Sequence, residues 1–143
     1  MRRHYFPLLR REVELIKRHK DVTVFFHSDG NLNAVFAEIV DCGFDGVHSL
    51  QPSVGMDIGR IKCKYGGRIC LMGNMDLNEL LPFGSPEEVE DATRRTIKIA
   101  APGGGFILST CNTLMRTIPP ENALAMYRAA EEHGYYPIGG TRR

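Results

Sequence analysis

Along the chain, the apolar positions alternate between a helical and an extended period. Phe6, Leu9, Val13 and Ile16 recur at helical spacing, which predicts a leading amphipathic helix over 1–20. The run VTVFF (22–26) is unbroken in apolar and β-branched residues and predicts a buried strand. In NLNAVFAEIVDCG (31–43), Leu32, Val35, Phe36 and Ile39 share one helical face, with Asn31 as its cap and Gly43 as its stop. The same pair of patterns returns three times. GVHSL (46–50) precedes a helix around GMDIGRIKCKYG (55–66), RICLMGN (68–74) precedes SPEEVEDATRRTIKIAA (85–101), and GFILST (105–110) precedes PPENALAMYRAAEEHG (119–134). Ser85 before Pro86 and two early glutamates make a strong helix start.

Four strands alternating with helices imply parallel βαβ units. They fit a doubly wound sheet or half of a (β/α)8 barrel. A complete barrel takes about 250 residues, and this chain has 143, so it forms an open four-stranded sheet or needs another half. The strands' carboxyl ends carry the polar residues: His27 and Asp29, then Gln51 and Asp57, then Asn74 and Asp76, then Cys111 and Asn112. The amino ends are plain turns (DCGFDG, KYGGR, APGGG). Function gathers at the carboxyl ends of parallel strands, so the pattern places a site there.

Composition narrows the partners. With 43% hydrophobic residues the chain can bury one modest core, and it reads as a single domain over 1–143. The 18 basic residues nearly balance the 17 acidic ones, which gives no sign of a nucleic-acid partner. The apolar runs are too short for a membrane span, and no secretory segment follows Met1. The arginine-rich start is interrupted by Glu12 and Glu14, unlike a transit peptide. Cys42, Cys63, Cys70 and Cys111 form no CxxC pair and no short disulfide framework, so a reducing, cytoplasmic setting is expected.

The candidate chemistry centres on His27, Asp29 and Cys111. Residues i and i+2 of a strand share a face, so His27 and Asp29 both reach one ligand, and Cys111 arrives from the fourth strand's end. Imidazole, carboxylate and thiolate together suit zinc, with a substrate or fourth side chain completing the tetrahedron. Zinc would make a bound thiol nucleophilic near neutral pH. The alternative is structural: Asp29 caps a helix, His27 bonds a loop and Cys111 fills space. Asp57 and Asp76 are catalytic candidates, with Asn31, Gln51, Asn74 and Asn112 as substrate-binding candidates, although Asp57 also suits a helix cap and Asp76 a turn. His48 reads as a satisfied interior or rim histidine. APGGG precedes a strand, the wrong end for a phosphate cradle.

The segments FHSDGN, GVHSLQPSVGMDIGRIKCKYGGRICLMGNMD, GSPEEVEDATRRTIKIAAPGGGFILSTCN and IPPENALAMYRAA, in this order, resemble the carboxyl-terminal half of the uroporphyrinogen decarboxylase superfamily. The resemblance runs from Tyr5 to Tyr136. It implies an α/β fold, the (β/α)8 barrel, with this chain supplying about the last four units. In the superfamily's corrinoid-linked methyltransferase branch, a His-x-Cys pattern and a later cysteine hold zinc, which activates a thiol such as coenzyme M. That pattern falls on His27, Asp29 and Cys111, with aspartate in place of the first cysteine. In the decarboxylase branch the last strand carries a histidine that contacts a substrate propionate; Cys111 stands there instead.

The resemblance implies three readings. The first is zinc-dependent methyl transfer between a thiol and a corrinoid on a partner protein. The second is porphyrin-type tetrapyrrole decarboxylation, against which the scarcity of basic residues at the strand ends argues. The third is an inactive fragment, or a subunit that completes its barrel by self-association or with an amino-terminal half-barrel.

Overall fold

The computed structural model describes residues 1–138. Helix α1 (Tyr5–His19) leads into β1 (Phe25–Ser28), α2 (Phe36–Asp41), β2 (Gly46–Ser49) and α3 (Ile58–Tyr65). Then follow β3 (Cys70–Met75), the short α4 (Leu80–Phe83), α5 (Pro86–Ala100), β4 (Phe106–Thr110) and α6 (Pro120–His133). The four strands lie in chain order in one sheet, and every neighbouring pair is parallel. This is the expected α/β architecture, with four consecutive βα units of a (β/α)8 barrel. No helix among the described residues is long and apolar enough to cross a membrane.

One face of the sheet is covered by helices. Val47 and Leu71 are fully buried in a cluster with Phe6 and Val13 of α1, Phe36 and Ile39 of α2, and Ile61 and Tyr65 of α3. A second cluster joins Met75, Leu81, Val89, Ala125 and Met126 beneath α4, α5 and α6. Burial of this apolar surface is what holds the helices on the strands. The row His27–His48–Met72–Ile107 runs across all four strands, one residue apart in register from Val47 and Leu71. Successive residues of a strand face opposite sides, so this row belongs to the other face. That face stays partly open, since His27 is exposed and Ile107 is 44% exposed.

Three local expectations need correction. The first strand does not start at Val22. The amide of Val24 is taken by Asp45 Oδ2 at 2.8 Å, outside the strand ladder, and the ladder to β2 begins at Phe25 and runs through His27 to Ser28. The helix expected over 31–43 shrinks to α2, and Asn31 does not cap it. Asn31 instead accepts from the amide of Asn33 at 3.0 Å and donates to the carbonyl of Val54 at 2.8 Å, which ties the loop after β1 to the loop after β2. Gly55 does not open the next helix but closes a 3-10 turn over Pro52–Val54 with φ of 87°. Asp57 begins that helix, its Oδ1 accepting from the amides of Gly59 and Arg60.

Two strand ends come unusually close. A Cβ on Gly73 would lie 2.4 Å from the carbonyl oxygen of Ser49, and its φ is +148°, so only glycine fits there. Opposite it, Ser49 and Leu50 have φ of 92° and 53°. Non-glycine residues in this region store strain, and such strain clusters at functional sites.

Candidate functional site

The carboxyl ends of β1, β2 and β4 meet at Asp29. Its Oδ1 accepts from the Ser49 hydroxyl at 2.9 Å, and its Oδ2 accepts from the Asn112 side-chain amide at 2.7 Å. Asn112 is itself set by its turn: its Oδ1 accepts from the Thr113 amide, and its carbonyl from the Thr110 hydroxyl. Three strand tips are thus held by one carboxylate. A cavity of about 450 Å3 opens beside it, lined by Asp29, Gln51, Asn78, Cys111, Asn112 and Met115 among others. Gln51 and Asn78 both donate to the Ser53 hydroxyl, at 2.8 and 3.0 Å, which fixes the cavity's edge on the β2 side.

His27 flanks Asp29, with Nε2 at 3.6 Å from Oδ1. Its Nδ1 lies 2.9 Å from Nδ1 of His48, its register partner on β2, and the two rings stack with centroids 4.8 Å apart. The second nitrogen of His48, Nε2, lies 3.1 Å from the Thr110 carbonyl. A carbonyl only accepts, so His48 carries its hydrogen on Nε2. A neutral His48 then offers Nδ1 as acceptor, and His27 donates Nδ1–H to it. A neutral His27 is left with a bare Nε2 beside Asp29. That atom can take up a proton, which would face the Asp29 carboxylate. The expectation that His48 is a satisfied histidine agrees with its two ring contacts.

Cys111 is 2% exposed, and its thiol is pushed up to about 12. Burial is the main cause, and the negative charges of Asp76 and Asp29 add to it. This thiol therefore stays protonated near neutral pH.

The cavity brings together Asp29, Gln51, Cys111 and Asn112 of the expected set, with His27 on its flank. Asn74 and Asp76 lie at the end of β3 on a neighbouring cleft. Asn74 is 6% exposed and donates to the Leu50 carbonyl at 3.2 Å, and Asp76 Oδ2 accepts from the amides of Asn78, Glu79 and Leu80. Asn31 and Asp57 are engaged in the loop tie and the helix cap already described. Ser49, Asn78 and the pairing of His48 with His27 were not anticipated. Ser49 had one available signal, its place at a strand tip between His48 and Gln51.

The arrangement does not suit the zinc ion that the resemblance implies. Both Asp29 oxygens are engaged by neutral donors, His27 Nδ1 is engaged by His48, and the Cys111 thiol is held in its protonated form. Among the described residues, no three His, Cys, Asp or Glu side chains are grouped to hold a metal ion.

Comparison with known proteins places this geometry in a family. Residues 1–133 match the family model described as uroporphyrinogen decarboxylase (URO-D). The methylcobamide:CoM methyltransferase MtaA of Methanosarcina barkeri is 31% identical over 112 residues, covering 78% of this chain and 31% of that protein. The uroporphyrinogen decarboxylase of Dechloromonas aromatica is 28% identical over 130 residues, covering 87% of this chain and 35% of that protein. The solved structure of a methyltransferase from Methanosarcina mazei superposes with a TM-score of 0.77 at 21% identity, covering 94% of this chain and 37% of that one. The chain thus spans about a third of the length of each of these proteins. With the family model matched along nearly all of its length, the chain belongs to the uroporphyrinogen decarboxylase (URO-D) family.

Proposed function

We propose that these strand tips form part of a methyl-transfer site of the methyltransferase-like branch. The site would take a small thiol as acceptor and a methyl group from a corrinoid carried by a partner protein. The observation that carries this reading is the cavity's lining. It contains Asp29, amides and a neutral thiol, and among the described residues no lysine, arginine or histidine. An octa-acid tetrapyrrole needs cationic partners for its carboxylates, and this wall supplies none. The likeness to MtaA of Methanosarcina barkeri supports this reading, beside the likeness to uroporphyrinogen decarboxylases.

The chain's own residues divide the work. Gln51 and Asn112 orient the acceptor in the cavity, and Ser49 and Asn112 hold Asp29 in place. The acceptor's S–H proton passes to Nε2 of His27, beside Asp29. The sulfur then forms its bond to the methyl carbon, while that carbon's bond to the donor breaks and the electron pair leaves with the donor. No step is routed through zinc on His27, Asp29 and Cys111. Because β1 and β4 are the sheet's edges, the rest of the wall would come from a second half-barrel, either another copy or an amino-terminal half.

The test incubates the full chain with methylcobalamin and coenzyme M without oxygen, and follows the methyl thioether by mass spectrometry. Wild type is expected to form it, and His27→Gln to slow it by about 100-fold, the scale of a lost general base. Conversion of uroporphyrinogen instead would move the chain to the decarboxylase reading. One zinc per chain, lost in Cys111→Ala, would restore the metal reading.

A further inference from the structure

Proton uptake by His27 depends on which of its ring nitrogens is bare. His27 on β1 and His48 on β2 are register partners, so both side chains stand on the open face of the sheet. Their Nδ1 atoms lie 2.9 Å apart, and a hydrogen bond between them needs one ring to donate and the other to accept. Which ring donates is decided on β4. His48 reaches across β3, and its Nε2 lies 3.1 Å from the Thr110 carbonyl.

Neutral rings allow two assignments. With its hydrogen on Nδ1, His48 would set a bare Nε2 against the carbonyl, two acceptors in contact with no hydrogen between them. With its hydrogen on Nε2, both contacts are made: His48 donates to Thr110, and His27 donates Nδ1–H to His48. The hydrogen bond at one ring nitrogen fixes the state of the other, so Nε2 of His27 is left bare, 3.6 Å from Asp29 Oδ1. Without His48, the carboxylate would draw the hydrogen of His27 onto Nε2, and no base would remain there. The pairing instead keeps two acceptors, Nε2 and Oδ1, side by side and ready for a proton from a bound group. We propose that His48 is a positioning residue: anchored on the Thr110 carbonyl, it holds His27 in the Nδ1–H tautomer and keeps Nε2 bare beside Asp29. Its part in deprotonating a thiol rests on the methyl-transfer reading, whereas the tautomer does not.

The test reads the tautomer directly, by long-range proton–nitrogen correlation NMR of the full chain at about pH 8.5, above the ordinary histidine range. In wild type, His27 is expected to carry its hydrogen on Nδ1 and His48 on Nε2. His48→Phe keeps a ring in the stack but removes the acceptor, and should move the His27 hydrogen to Nε2. In the methyl-transfer assay the same variant should lower kcat by about 100-fold, the scale of a lost general base, and leave KM for coenzyme M unchanged. His48→Gln offers an amide oxygen to His27 and an amide N–H to Thr110, and should recover most of that loss. A wild-type His27 with its hydrogen on Nε2, or a His48→Phe variant that keeps the Nδ1–H tautomer, would overturn the proposal, as would a change in KM alone. If wild type forms no thioether, the methyl-transfer reading falls, and the tautomer still decides the role of His48.

Discussion

Cys111 shows how strongly one residue's surroundings set its chemistry. Its thiol would ionise near pH 8.5 in an unfolded chain, and burial with two nearby carboxylates pushes it up to about 12 in the fold. A folded value above the unfolded one means that the neutral thiol contributes stability in full below about pH 8.5, and that this contribution fades as pH rises towards 12. Wild type should therefore lose about 2–3 kcal/mol more than Cys111→Ala between pH 7.5 and 10.5 in denaturant titrations. Equal losses would show that the thiol ionises freely. In thiol labelling at pH 8, exposed Cys63 should react first and Cys111 only after unfolding.

At the scale of elements, the start of α5 was fully legible. Ser85 accepts from the amide of Glu88, and the Glu88 side chain accepts from the amide of Ser85, completing the capping box over Pro86. Ser85→Ala should cost about 1 kcal/mol in urea unfolding. The neighbouring α4 was not legible. It is a four-residue turn started by the Asp76 carboxylate and held at its end by Asn122, whose side-chain amide donates to the carbonyls of Leu81 and Gly84 at 2.9 and 2.8 Å. Asparagine in an amphipathic helix reads as part of the wet face, yet Asn122 is 1% exposed. Only tertiary packing turns it inward. Asn122→Ala strands two carbonyls and should cost about 1–3 kcal/mol, at least as much as Ser85→Ala. A smaller loss would mean that α4 is held by its apolar contacts alone. The β1 boundary failed for a similar reason: VTVFF is apolar or β-branched throughout, and the Asp45 side chain, 21 residues from Val24, decides where pairing begins.

For the whole molecule, the order of units and the direction of the strands were legible, because alternating periods dictate a parallel sheet. The gathering of polar strand tips was legible as well. Their pairing was not, because Asp29 meets Asn112 across 83 residues and Ser49 across 20, which no local spacing encodes. Among the described residues the sheet leaves β1 and β4 at its edges, with unpaired backbone groups that favour another strand. Ile107, on the open face of β4, and Leu124 and Tyr127 on α6 are exposed apolar residues as well. Sedimentation at micromolar concentration should show the chain associating with itself or with an added amino-terminal half-barrel. A monomer that ignores both would contradict completion of the barrel by a partner.

The central claim is that the tips of distant strands are drawn together on Asp29. A double-mutant cycle with Asp29→Ala, Asn112→Ala and the double variant, read by urea unfolding, tests it without needing substrate or partner. The 2.7 Å contact predicts a coupling of about 1 kcal/mol. Losses that simply add, within about 0.3 kcal/mol, would show that the two tips do not meet.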